Sequence, residues 1–418
     1  MKKMEIRIAM IGCGRRAPAY PNSIKAVPGC RVTALCDLIA PRIKQIKKMF
    51  GDESIREYTD YRKMLADDVC DAVFVVTEPE YQPGLAVAVM EAGKDVFSEV
   101  PAAYSLEDCW RIVLAAERTG RTYYLGEQTR HKPLMRYWKQ IVQAGALGTI
   151  LFAEGHYLHA MTADRFWLNP ETGELLTWEK AQKVPNKVKT RLWTMPHSIL
   201  YGPHEMSPLL KILDDRVASV SCYSTGTPSK RLKEVPFPCQ DMEFPIADLE
   251  VALMHTAKGA IIRFAMSTQA PVSVSHWYHL LGTKGEVETC RGIGEPGYSY
   301  ICSDPVMSYR TCGKARTQEP WFSPDGRPPE DIARGLKEEL SEQARATGHG
   351  GADYYPVADF IRHLREGTPP DIDVYTAVET AAPCIVAAKS AEQGGANLPV
   401  PDFRPGAQRK KGEMPPGK

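Results

Sequence analysis

An α/β fold in two parts is what this sequence predicts: a parallel sheet with crossover helices, then an α+β region built on an open, largely antiparallel sheet. Three observations carry that expectation. Over about the first 120 residues, short apolar runs alternate with helical stretches. From about residue 149, apolar runs succeed one another with glycine turns and no helix at each step. The chain, at 418 residues, also exceeds the roughly 250–300 at which one core stops growing.

The elements follow in order. Runs at 6–11, 31–36, 72–77 and 95–97 read as strands, and 123–125 as a fifth. Helical stretches at 40–49, 84–91 and 106–117 separate them, which forces parallel crossovers. The second region opens with strand-like runs at 149–154, 217–224, 247–254 and 260–267, with turns at Gly259 and 282–285. One face of this sheet is expected to pack on helices. The stretch 163–194 is charged and aperiodic and reads as a long functional loop, and 292–327 is a second irregular stretch. Helical patterns return at 329–346, 355–365 and 374–393. The expected domains are 1–128 and 129–403, followed by a Pro-, Gly- and Lys-rich flexible tail over 404–418.

Composition removes several function classes. Net charge is +1, so the chain offers no field for nucleic acid. No run approaches the roughly 18 apolar residues of a membrane span. The 11 cysteines form no CxxC pair, so neither a zinc site nor a disulfide frame is expected, and no metal is assigned. The polar start, residues 1–7, lacks the features of a signal peptide, and a cytoplasmic location is the expectation.

The segment 8–20, IAMIGCGRRAPAY, places Gly12-x-Gly14-x-x-Ala17 between a strand and a helix. Gly12 permits the tight turn, Gly14 admits a pyrophosphate to the backbone, and Ala17 lets the helix pack close. Asp37 ends the second strand about 20 residues on, where a carboxylate meets the ribose hydroxyls. This is a dinucleotide-binding Rossmann signature. The acid at Asp37 favours NAD over NADP, although Arg42 nearby keeps NADP open. Arg15 and Arg16 are either phosphate contacts or solvated arginines at a helix start.

Thr77–Pro79, Glu99-Val100-Pro101 and His349-Gly350-Gly351-x-Asp353 extend this pattern. With them, the chain resembles the Gfo/Idh/MocA family of sugar oxidoreductases from about residue 6 to residue 395. The resemblance implies a Rossmann domain followed by an open sheet that binds substrate and often dimerises. A homodimer or higher homo-oligomer is therefore expected. Ordinary dehydrogenases of the family carry Glu-Lys-Pro where this chain has Val100. They also carry an Asp shortly before the second-domain histidine, whereas no Asp occurs here between Asp164 and Asp214.

The departures are similar to those of one subgroup, the family 109 glycoside hydrolases. The matching segments are EVPAA at 99–103, Glu80-Tyr81-Gln82 in place of Glu-Trp-His, Tyr157-Leu158-His159, and Tyr201-Gly202-Pro203-His204. The resemblance implies bound NAD, transient oxidation at a sugar C3, loss of the C2 proton and the C1 group, hydration and re-reduction. It also implies substrate and catalytic roles for both Tyr/His pairs. Our reading sets His204, with Tyr201, at the C3 hydroxyl and Tyr157 with His159 at C2 and the leaving group, with the roles inside each pair open to exchange.

The NAD side of the cleft is assigned to Gly12, Gly14, Arg15, Arg16, Ala17, Asp37, Thr77, Glu99, Pro101 and Gln128, with Glu127 weighed beside them. Substrate contacts are assigned to Trp193, His349 and Tyr278. Several of these have structural alternatives. Tyr157 and His159 share a strand face that could be core. Asp353 could cap the following helix. Trp167, Trp193 and Trp277 are core or sugar-stacking platforms. The functional alternatives are a net sugar dehydrogenase, a silent sugar sensor, and a redox-neutral epimerase or lyase.

Overall fold

The strand Ile6–Ile11 (β1) is buried except at Arg7, as a central parallel strand covered on both faces must be. In this computed structural model the described residues are 5–159, 167–176, 178–189, 195, 197–226, 247–268, 275–289, 301–302, 341–406 and 409–415. Around β1 lie Cys30–Cys36 (β2), Arg56–Tyr58 (β3), Ala72–Val75 (β4), Asp95–Ser98 (β5) and Tyr123–Leu125 (β6). All pairs are parallel, in the order β3-β2-β1-β4-β5-β6. The strand order reverses between β1 and β4, which opens the ligand crevice at the carboxyl ends of those strands.

Local chemistry sets the crossover helices. Leu106–Thr119 starts where Ser105 Oγ accepts from the Asp108 amide at 3.0 Å. Glu107 and Asp108 lie in its first turn, where the helix dipole favours acids. It ends at Gly120, whose φ of +64° suits a left-handed C-cap. Phe74, Phe97 and Tyr124 stack across β4, β5 and β6 at 4.3 and 5.6 Å between ring centroids. Phe360, on the late helix Tyr354–Glu366, packs edgewise or tilted on all three. The end of the chain thus returns to close the first sheet.

The second region is built on Ile150–Leu158 (β7). Three short strands follow, Trp167–Leu168 (β8), Leu175–Leu176 (β9) and Val188–Lys189 (β10). They form a small antiparallel sheet, so the expected long loop is partly regular structure. Then come Val217–Ser224 (β11), Glu250–Thr256 (β12), Ile261–Ser267 (β13), Ser275–Gly282 (β14), Glu286–Thr289 (β15), Ile301–Cys302 (β16) and Leu398–Pro399 (β17). The large sheet runs β16-β15-β14-β7-β13-β12-β11-β17 and is antiparallel except at β13–β7. Its inner face packs on the helices Pro203–Leu213 and Val374–Glu392. Tyr223, Leu253, Ile261 and Leu281 remain exposed on this sheet.

The tail departs from expectation. Arg409 is buried to 1 % exposure against an equally buried Glu117, with its guanidinium on both carboxylate oxygens. It also donates to Phe403 O, and Gly412 N donates to Glu117. One well-placed arginine docks a segment whose composition reads as flexible. Most of the 329–346 helix and all of 292–300 lie outside the described residues. No helix among the described residues is long and apolar enough to cross a membrane.

Candidate active site

The nucleotide loop fits its assignment. Gly12 has φ +98°, and a Cβ there would lie 2.3 Å from Val76 O and 3.0 Å from Thr77 Cγ2. Asp37 accepts the Cys13 amide at 2.7 Å and the Ile39 amide at 2.8 Å, so it holds the loop that it flanks. Leu38 beside it is exposed. Arg42 lies against Gly14 and donates to Gly173 O at 3.3 Å, tying the helix Ala40–Phe50 to the β8–β9 turn. At the other end of the crevice, Gln128 is buried and its Oε1 has no hydrogen-bond partner. A buried acceptor without a donor calls for a ligand group at that point. A tight glycine turn, an acid at the end of β2 and this acceptor together match a dinucleotide.

Arg16 requires a correction. Rather than standing open to phosphate, its Nε donates to Glu99 at 2.6 Å, and its terminal nitrogens grip Asp353 at 2.8 and 3.1 Å. Tyr20 donates to the same Glu99, and Glu99 accepts from the Val100 amide at 3.1 Å. Asp353 occupies the N-cap position of Tyr354–Glu366 without capping it. It accepts from His349 Nδ1 at 2.9 Å instead. Burial alone would raise the Asp353 pKa, but the His349 and Arg16 contacts overcome it and hold the carboxyl far below its ordinary value. Arg15 is exposed, and Pro101 follows Val100 in the turn after β5.

The four assigned catalytic side chains come together. Tyr157, near the end of β7, lies 5.6 Å from His159, 5.9 Å from Tyr201 and 6.1 Å from His204, measured between ring centroids. Tyr201 and His204 are 5.0 Å apart. Two further glycines make this possible. A Cβ at Gly202 would meet Phe264 at 2.5 Å and Cys384 Sγ at 2.8 Å, so the turn before Pro203–Leu213 seats deep against β13. A Cβ at Gly155 would reach Leu209 at 3.1 Å, so the same helix lies flat on β7.

His204 Nδ1 is 2.9 Å from Glu127 Oε1. Glu127 also accepts the Thr129 and Arg130 amides at 2.9 and 3.1 Å. Burial would raise its pKa, but the His204 contact and these amides prevail and lower it to about 2. The Glu127 carboxylate at Nδ1 keeps a proton on that nitrogen and leaves Nε2 as the ring nitrogen able to exchange one.

Two residues at the site carry no sequence assignment. His276, on β14, is the cross-strand partner of Tyr157 and stacks on it at 4.3 Å. Glu205, fully buried, bonds His276 Nδ1. Tyr278 is corrected by this arrangement: it is only 2 % exposed, and its hydroxyl donates to Glu205 at 3.2 Å, behind the site rather than toward substrate. His349 remains half exposed. Trp193 lies outside the described residues, while Trp167 and Trp277 are buried. Among the described residues no cluster of His, Cys, Asp or Glu is arranged to hold a metal.

Comparison with known proteins agrees with this layout. Residues 6–127 match the oxidoreductase family with NAD-binding Rossmann fold, and residues 133–410 match the glycosyl hydrolase 109 C-terminal domain. A family 109 protein of Streptomyces coelicolor is 27% identical over 97% of this chain and 84% of its own. One from Porphyromonas gingivalis is 26% identical over 96% and 85%. Among solved structures, the WlbA dehydrogenase of Bordetella pertussis with NADH and UDP-GlcNAcA superposes with a TM-score of 0.69. It is 20% identical, covering 96% of this chain and 99% of its own. The myo-inositol 2-dehydrogenase of Lactobacillus plantarum gives 0.65 at 16% identity, over 95% and 100%. The protein is an enzyme of the Gfo/Idh/MocA type with NAD as cofactor, and it belongs to glycosyl hydrolase family 109.

Proposed function

We propose that this enzyme cleaves a glycoside by transient oxidation at C3, elimination across C2 and C1, hydration and return to the sugar, with no net redox. The carrying observation is the wall of Tyr157, His159, Tyr201 and His204, with His204 fixed on Glu127. Gly12, Gly14, Asp37, Thr77 and Gln128 are the residues that would hold NAD, which supplies a reversible hydride acceptor.

His204 Nε2 takes the C3 hydroxyl proton, with Tyr201 beside it to orient that hydroxyl. A C3 ketone acidifies the C2 proton, and the Tyr157/His159 pair removes it. The same pair gives a proton to the departing C1 oxygen, and water then adds across the double bond. Groups with pKa values near neutrality suit these transfers better than carboxylates do. Direct displacement needs two carboxyl groups flanking the bond. Glu127 and Glu205, which lie behind His204 and His276, are fully buried and engaged by those two histidines.

A screen of nitrophenyl glycosides on the protein as purified, with no NAD added, tests this reading. Hydrolysis in deuterated water with deuterium at C2 of the product is the expected result. H204A should lose about 10²–10⁴-fold in kcat. Stoichiometric accumulation of NADH would instead mark a net dehydrogenase, and binding without turnover a sensor.

A further inference from the structure

The inner face of the large sheet carries an acid–base couple that the proposed steps do not use. Tyr157 and His276 face each other across β7 and β14, rings nearly parallel at 4.3 Å and 17°. Behind His276, Nδ1 meets Glu205 Oε1, which also accepts from Tyr278. Glu205 reaches this place because Gly155 lets its helix lie on β7: a Cβ at Gly155 would sit 3.7 Å from Glu205 Cβ. The other oxygen, Oε2, is buried with no hydrogen-bond partner. A carboxylate with one oxygen stranded in this way would be costly, whereas a neutral acid needs far less.

The surroundings agree. Glu205 stands in the first turn of its helix, where the dipole favours a charged acid. Burial nonetheless raises its pKa to about 8, with His204 and Lys132 pulling the other way and Glu127 adding to the rise. Burial also drives His276 well below its ordinary value, helped by Lys132, His204 and His349 and opposed by Glu127. Neither partner favours charge, so one proton serves both.

We propose that Glu205 and His276 share a single proton behind Tyr157 and form a positioning couple that sets how readily Tyr157 gives up its own. When Tyr157 passes its proton to the departing oxygen, the Glu205 proton moves to His276 Nδ1. That leaves a carboxylate and an imidazolium, the latter stacked against the new phenolate. No proton enters or leaves the couple, and the reverse shift restores it when Tyr157 is reprotonated. The role for Tyr157 rests on the proposed function, but the coupling between the three side chains does not.

The test is a titration of phenolate absorbance in the NAD-loaded protein, with Y157F identifying the Tyr157 step. E205Q keeps the shape but holds no transferable proton, so the Tyr157 step should move up by about one pH unit or more. H276Q should move it the same way, and E205D should restore part of the shift. In turnover, E205Q should lower kcat by about tenfold or more with KM within about twofold, and the pH–rate profile should shift in parallel. His276 keeps 23 % of its side chain exposed, so H276Q carries the test if E205Q does not fold. An unmoved Tyr157 step in both variants overturns the couple. A moved step in a protein without glycosidase turnover supports the couple and sinks the proposed function instead.

Discussion

In the proposed cycle His204 works as a base only with its own proton on Nδ1, and Glu127 is the group that holds it there. E127Q removes the charge but keeps a group that can bond from either end, so the tautomer is no longer fixed. kcat should fall about 10–1000-fold, with little change in KM, as measured on whichever glycoside the wild type hydrolyses. Stability gives an independent reading. The folded Glu127 pKa of about 2 lies below its ordinary 4.5. Its stabilising contribution is therefore complete above about pH 4.5 and is lost as pH falls toward 2. Urea midpoints of wild type and E127Q should differ at neutral pH and converge in acid, and a constant gap would contradict the assignment. Tyr157, His159, Tyr201 and His204 could be marked as candidates from the sequence because the family resemblance covers the two short motifs that hold them, and the structure brings their rings together. Glu205 was not, since a glutamate in a helix's first turn reads as a solvated, dipole-favoured acid. His276 was hidden as well, because Ser275–Gly282 puts a histidine among aromatic and aliphatic residues on each alternating face and so shows no pattern that marks a strand or one of its residues.

At the level of elements, two glycines divide the work of the site between its two sheets. Gly12 serves the cofactor: its positive φ and the 2.3 Å approach to Val76 O leave no room for a side chain. G12A should fold with a distorted turn and lose bound NAD, as read by mass spectrometry of the native protein. Gly155 serves the chemistry instead, by setting the distance between β7 and the helix that carries His204 and Glu205. Alanine there meets the movable end of Leu209 and is tolerated, but valine pushes the helix off the strand. G155V should cost about 1–3 kcal/mol and most of the turnover while keeping NAD. Loss of NAD in G155V would show that the two elements are not separable. The first glycine was readable because a nucleotide turn has a spacing, whereas the second has none. A glycine inside a strand announces close approach without saying of what. The same limit explains the stretch 163–194, where two-residue strands β8 to β10 are too short to carry a period.

Taken whole, the molecule is held across its two regions by ion pairs to buried carboxylates that link distant parts of the chain. Arg16 spans Glu99 and Asp353, and Arg409 joins the tail to Glu117 on the first-domain helix Leu106–Thr119. The alternation of strands and helices showed that there are two sheets, but not what fastens them, because an ion pair between residues 292 apart leaves no local pattern. Composition even pointed the other way for the tail. Arg409 also donates to Phe403 O and lies over the Trp110 ring, so removing it strands both a buried carboxylate and two apolar surfaces. R409M should therefore destabilise by about 3–5 kcal/mol, since breaking a buried pair leaves an uncompensated charge. E117Q alone should cost a similar amount, and the double variant less than the sum, with a coupling of about 0.5–3 kcal/mol. Deleting 404–418 should lower the melting temperature as R409M does while leaving turnover per folded molecule unchanged, because the tail meets the helix Leu106–Thr119 and not the catalytic wall. Strict additivity in urea unfolding, or a truncated chain as stable as the full one, would return the tail to the flexible segment its composition suggests.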